Sequence, residues 1–168
     1  WNMKMNNSFY LCGFMGVGKT TILNNIKQQT KYTCIDLDEN IENKYGQIDN
    51  IFVEKGEIFF REIEEKEFFV NQNKFNLISL GGGAIENDNI FENLLKSNQT
   101  IYLSLNFEIL WERIKNSNRP LVSTGREILE SRYKNRIKRY EMMEYKISNE
   151  NVKDTTSKVL EIMENQNA

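Results

Sequence analysis

The chain has no histidine, one proline (Pro120) and two cysteines (Cys12 and Cys34) among 168 residues. Without histidine there is no Ser-His-Asp triad and no histidine-ligated metal. Both cysteines lie in apolar, strand-like runs, which reads as two buried free thiols rather than a disulfide framework. No apolar run approaches the ~20 residues that cross a bilayer, and the opening "WNMKMNNSFY" carries no apolar signal core. These absences predict a cytoplasmic protein with no membrane partner. Neither sign of charge dominates: 22 Lys and Arg stand against 24 Asp and Glu, a net charge of −2. That balance leaves no basic footprint for nucleic acid.

What is present is an ordinary globular composition, 39% apolar and 27% charged, at a length that favours one domain over 1–168. Short apolar runs rich in β-branched and aromatic residues predict strands at 8–12, 32–36, 75–80, 100–105 and 145–148. Helical patterns begin at Lys19 and run over about 56–73, 107–117, 126–143 and 155–165. Phe107, Leu110, Trp111 and Ile114 recur at helical spacing, as do Val152, Thr156, Val159 and Met163. Alternating strands and helices predict an α/β fold with a mostly parallel sheet. The polar segment around Pro120, about 115–126, interrupts two helices and reads as a loop or lid.

The most specific stretch is "GFMGVGKTT", Gly13 to Thr21, which fits G-x-x-x-x-G-K-[ST] between a strand and a helix. Gly13, Gly16 and Gly18, with Val17 between the last two, let the backbone turn and aim N–H groups at phosphate oxygens. The helix that follows points its positive end at the same anion. Lys19 reaches the β- and γ-phosphates, Thr20 offers its hydroxyl to Mg²⁺, and Thr21 packs in the first turn or touches phosphate. The motif makes a nucleotide phosphate chain the ligand. A GTPase would need N-K-x-D, and "NKYG" at 43–46 lacks the aspartate.

Three weaker clusters follow. Asp36 and Asp38 in "DLD" end the second strand, where two residues apart share a face. They serve a metal and a hydroxyl there, or Asp38 merely caps the helix "ENIENKY". Arg61 and Glu64 in "GEIFFREIEEKEF" share a helical face, either as a carboxylate-binding pair or as part of a solvated charged surface. Gly81, Gly82 and Gly83 after the third strand allow close backbone approach to a ligand, or make a tight turn.

Taken in order, "GFMGVGKTT", "DLDENIE", "IFVEKGEIFFREIE", "LGGGAI", "RPLV" and "RYKNRIKRYEMMEY" resemble shikimate kinases over about residues 8–165. The resemblance implies a three-layer P-loop kinase fold, a five-stranded parallel sheet flanked by helices, with a lid, in the nucleoside monophosphate kinase group. It implies transfer of the γ-phosphate of ATP to the 3-hydroxyl of shikimate, with Mg²⁺, by a protein that acts as a monomer. By the same resemblance Asp38 holds the shikimate hydroxyls and serves as base, and Asp36 reaches Mg²⁺ through water. Arg61 and Arg136 grip the shikimate carboxylate, Gly82 contacts shikimate through its backbone, and Glu64 holds Arg61. Arg119 is the lid arginine that closes on the phosphates, and Arg113 the arginine that stacks on adenine. The family's R-x-P-x-Y run is here Arg136, Ile137, Lys138, Arg139, Tyr140, so Arg132 and Arg139 compete with Arg136; the spacing to Tyr140 selects Arg136.

Overall fold

The computed structural model describes residues 7–118 and 120–166. Five strands, β1 (Phe9–Cys12), β2 (Cys34–Asp36), β3 (Leu77–Ser79), β4 (Thr100–Ser104) and β5 (Tyr145–Ser148), form one sheet in the order β2-β3-β1-β4-β5. Every pairing is parallel, with Tyr10 of β1 opposite Ile78 of β3 and Thr100 of β4. A parallel sheet is covered on both faces, so its central strands are apolar throughout. "FYLC" in β1 is buried at all four positions, whereas the edge strand β5 alternates and exposes Lys146 and Ser148.

Eight α-helices complete the described chain: α1 (Lys19–Gln29), α2 (Leu37–Tyr45), α3 (Ile48–Lys55), α4 (Glu57–Asn71), α5 (Asp88–Ser97), α6 (Phe107–Ile114), α7 (Arg126–Tyr140) and α8 (Val152–Gln166). The main core lies around the sheet, with Leu11, Ile22, Ile78, Ile101 and Val159 fully buried. A second, smaller core of Ile41, Ile51, Phe60 and Ile63 joins α2, α3 and α4. Buried Glu67 of α4 pins the same layer. It accepts from Asn40 Nδ2 at 2.8 Å, Lys44 Nζ at 3.0 Å and Asn71 Nδ2 at 3.2 Å. Asp38 on α2 and Arg61 on α4 are thereby held in one rigid unit.

The sequence pattern and the structure differ in particulars. Helices α3 and α5 are additional to the helical segments expected, and α2 contains the helix "ENIENKY" that one reading of Asp38 required. The segment expected at 107–117 stops at Ile114, and that at 126–143 stops at Tyr140. Asp36 and Asp38 do not share a strand face, because β2 ends at Asp36 and Asp38 lies in the first turn of α2. The cap of α2 is Asp36, whose Oδ1 accepts from the N–H of Asp38 at 3.0 Å and of Glu39 at 3.3 Å. Asp38 therefore keeps its carboxylate out of the cap. The span 115–126 contains a 3₁₀ turn, Pro120–Thr124.

Candidate active site

The carboxyl ends of the strands converge on one edge of the sheet, where open α/β folds bind ligands. The loop Gly13–Gly18 follows β1, the central strand. Gly16 and Gly18 have φ of +81° and +104°, backbone that favours glycine. A Cβ on Gly16 would stand 2.5 Å from Ile114 Cγ2, and one on Gly18 2.7 Å from Asn149 Nδ2. A Cβ on Gly13 would stand 2.8 Å from the Leu103 carbonyl. The loop is thus closed from behind by α6, β4 and the end of β5.

Four carbonyls of this loop accept from side chains. Lys19 Nζ donates to the Gly13 carbonyl and, at 3.3 Å, to that of Phe14. Arg113 Nη1 donates to the carbonyls of Gly16 at 3.2 Å and Val17 at 3.3 Å. Asn149 Nδ2 donates to Val17 at 2.7 Å. With these carbonyls tied back and no side chain capping α1, the loop ends in the N–H groups of a helix start, the kind of end that suits an anion. Val17 itself is buried, and Thr20 and Thr21 are exposed on the first turn of α1.

Thr20 Oγ1 donates to Asp36 Oδ2 at 3.4 Å. A hydroxyl and a carboxylate side by side are hard oxygen donors that suit Mg²⁺, which takes few protein ligands and completes its shell with phosphate and water. Among the described residues no group of three or more acidic, cysteine or histidine side chains could hold a metal alone.

Asp38 lies against the glycine run: a Cβ on Gly81 would meet its Oδ1 at 2.5 Å. Burial first, and then the neighbouring charge of Asp36, push the Asp38 carboxyl up to about 6, against the pull of Lys19 and Arg61. That places it within reach of general-base work near neutrality. Gly83 makes equivalent room for Arg61, whose Nη1 would lie 2.5 Å from an added Cβ. Gly82 has its nearest neighbours farther off, Met15 N at 3.5 Å and Arg136 Nη1 at 3.6 Å from such a Cβ. Its carbonyl accepts from Tyr140 Oη at 2.7 Å.

Two arginines flank this run. Arg61 Nη1 bonds Glu64 Oε1 at 2.9 Å, and its Nη2 lies 3.6 Å from Glu57. Burial raises the Glu64 carboxyl to about 7 although Arg61 opposes it. Arg136 is buried on α7, over the Phe14 ring at 5.5 Å, and its Nε and Nη2 reach Glu86 Oε2 at 3.2 and 3.1 Å. Arg139 is spent elsewhere, on the Ile85 carbonyl at 3.0 Å, Asp88 at 2.6 Å and the Phe91 ring. Arg132 lies one turn before Arg136 on α7 and is half-buried.

The structure thus gathers Lys19, Thr20, Asp36 and Asp38 with Arg61, Glu64, Gly82, Arg113 and Arg136 at one edge. Arg119 lies outside the described residues. Sequence reasoning did not single out Glu86 or Asn149. Glu86 sits in the 3₁₀ turn Ala84–Glu86, where no motif flags it, and Asn149 follows β5 in a polar run that reads as an ordinary turn.

A parallel sheet with a phosphate loop after its central strand, and a carboxylate and two arginines opposite, defines a P-loop kinase with an anionic small-molecule acceptor. The comparisons carry this further. The sequence model of the family "Shikimate kinase" matches residues 15–166. The shikimate kinase of Dictyoglomus turgidum is 34% identical, over 94% of this chain and 97% of its own. A structure of shikimate kinase from Acinetobacter baumannii in complex with shikimate superposes with a TM-score of 0.84 at 30% identity, covering 95% of this chain and 94% of that one. Deoxyadenosine kinase from M. mycoides, with bound dATP, shares the fold at a TM-score of 0.60. The chain belongs to the shikimate kinase family.

Proposed function

We infer that Lys19 and Asp38, with the paired arginines Arg61 and Arg136, carry the reaction of this family in this chain. That reaction is the ATP-dependent phosphorylation of the 3-hydroxyl of shikimate, giving shikimate 3-phosphate and ADP on the route to chorismate and the aromatic amino acids. The observation that carries the residue assignment is the Gly81–Gly83 run. It abuts the Asp38 carboxylate at one end and the Arg61 guanidinium at the other. An acceptor with hydroxyls at one end and a carboxylate at the other spans that distance in one orientation.

Phosphoryl transfer needs positioning and charge neutralisation more than covalent chemistry. Arg61 and Arg136 fix the acceptor carboxylate by charge-assisted hydrogen bonds. Asp38 then accepts the proton of the attacking hydroxyl. Lys19 leaves the Gly13 and Phe14 carbonyls for the β- and γ-phosphates, and the first-turn N–H groups of α1 hold the same chain. Thr20 and Asp36 would hold Mg²⁺, which supplies charge neutralisation at the phosphates. Arg113 faces the nucleotide end, Gly82 contacts the acceptor through its backbone, and Glu64 keeps Arg61 in place. Arg119, in a lid at 115–126, closes on the phosphates and excludes water, which would otherwise take the phosphoryl group.

The reading includes one kinase domain over 1–168 acting as a monomer in the cytoplasm. Among the described residues no helix is long and apolar enough to cross a membrane. Coupled ADP release with Mg-ATP tests it, with and without shikimate, beside gluconate and nucleoside monophosphates. Stimulation by shikimate alone is expected; equal stimulation by gluconate, or ATP hydrolysis indifferent to every acceptor, overturns it.

A further inference from the structure

The two arginines of the acceptor site are set by a single loop. Gly83 abuts the Arg61 guanidinium. Three residues on, Glu86 closes the same 3₁₀ turn, its N–H bonded to the Gly83 carbonyl at 3.1 Å, and takes Arg136. Both contacts to Arg136, from Nε and from Nη2, go to one oxygen, Glu86 Oε2. They use the side edge of the guanidinium. Phe14 covers a face, and the end edge carrying Nη1 stays toward Gly82. A guanidinium held by its side edge presents its end edge to a second carboxylate as a two-pronged fork.

The burial is lopsided, with the Arg136 side chain 1% exposed and that of Glu86 44%. Glu86 therefore gives up little hydration to make the pair, while Arg136 without it would be a buried cation lacking its resident partner. Arg61 also has a carboxylate partner, Glu64 on its Nη1, but with the burial reversed: the Glu64 side chain is 3% exposed and that of Arg61 24%.

We propose that Glu86 is a positioning residue for the acceptor, which orients Arg136 so that the Gly81–Glu86 loop fixes the spacing of both halves of the carboxylate clamp. The proposal rests on the reading that Arg136 grips the acceptor carboxylate.

The test compares E86A, E86Q and R136A in the full chain by coupled ADP release with Mg-ATP and shikimate. E86A raises KM for shikimate by about tenfold, the worth of a charged hydrogen bond, and leaves kcat and KM for ATP within about twofold. E86Q stays near the parent, because its amide oxygen accepts the same two bonds. A second readout follows the Arg136 Nε–H resonance by NMR, slow to exchange in the parent and in E86Q and fast in E86A. Should E86A lose its thermal melt, Glu86→Ser takes its place. KM for shikimate unchanged in E86A, or lowered as a competing carboxylate would require, overturns the proposal. So does an E86Q as weak as E86A, which would make charge rather than placement its contribution. A normal KM in R136A removes the acceptor reading of Arg136 and this inference with it. A raised KM in R136A beside a normal E86A removes this inference alone.

Discussion

The Asp38 carboxylate lies so close to Gly81 that a Cβ there would stand 2.5 Å from Oδ1 and 2.9 Å from Oδ2. Gly81 is not among the glycines with positive φ, unlike Gly16 and Gly18, so alanine at 81 needs no left-handed backbone and acts first on Asp38, which supplies its three nearest atoms. Gly81→Ala should lower kcat with shikimate by about 10²-fold, the usual effect of misplacing a reacting group by an ångström, and leave ATP affinity alone. Gly83→Ala pushes on Arg61 instead and should appear in KM for shikimate. Gly82→Ala, with nothing nearer than 3.5 Å, should melt like the parent, so a loss of shikimate affinity there would report contact with the acceptor itself. Steady-state kinetics on the three variants, with thermal melts, checks the series; equal effects at all three positions would contradict it.

Asp38 must be ionised to accept a proton, and its carboxyl sits at about 6 in the folded protein. The kcat/KM for shikimate should therefore fall tenfold per unit as pH drops below about 6, since that ratio reports groups of the free enzyme. The same shift has a stability consequence. Between the ordinary carboxyl value of 3.8 and about 6 the folded state binds more protons than the unfolded one. Stability from this group is then fully present below 3.8 and is lost as pH rises to about 6. Asp38→Asn removes that loss. The variant should be inactive yet more stable than the parent by about 1–3 kcal/mol at pH 7.5, with the gap closing toward pH 4. Urea melts at the two pH values check the sign; a variant less stable than the parent at pH 7.5 would contradict it.

Lys19 holds two loop carbonyls, those of Gly13 and Phe14. Both are backbone groups beside the Gly13–Gly18 loop, and on the proposed function the lysine would exchange them for phosphate oxygens when nucleotide binds. Lys19→Met should reduce turnover by at least about 10²-fold. The loss should be the same with any acceptor, in contrast to Arg61→Ala, whose defect follows the acceptor carboxylate. Rates with shikimate and with water as acceptor separate the two; a Lys19→Met enzyme impaired only toward shikimate would assign the lysine to the wrong side.

The phosphate loop was legible because its spacing is dictated by backbone geometry, and Gly16 and Gly18 have the positive φ that only glycine takes cheaply. The five strands were legible because a sheet covered on both faces leaves short apolar runs. Helix α3 was not, and α2 showed only as the helix one reading of Asp38 would cap, since both bury few residues: Leu37 and Ile41 in one, Ile51 in the other. Their stability comes from the small core with α4 and from Glu67, a contact no local pattern encodes. The D-x-D pair was legible as a pair but not as a geometry. Asp36 caps α2, and that ends the strand before Asp38. Glu86 and Asn149 were invisible for the same reason, each being defined by a partner 50 and 132 residues away in sequence.

Arg136 and Arg139 are three apart on α7 and chemically identical, yet the structure places them in opposite surroundings. Arg139 leans outward onto α5, with Nη1 on the Ile85 carbonyl, Nη2 on Asp88 and its plane 4.5 Å from the Phe91 ring centroid. It closes the turn that follows the glycine run. Arg136 points inward, buried between Phe14 and Glu86 beside Gly82. Arg139→Ala should therefore cost stability, about 1 kcal/mol for a half-exposed pair with one carbonyl bond, with shikimate KM close to the parent's. Arg136→Ala should raise shikimate KM by at least about 10²-fold, because a bidentate carboxylate contact is lost from a site shielded from water. Arg136→Lys should not rescue it, since an ammonium cannot span Glu86 and the acceptor at once. Kinetics and melts on the three variants decide the matter. A shikimate KM that responds to Arg139 and not to Arg136 would move the carboxylate to the outer face of α7 and leave the buried arginine as a purely structural cation.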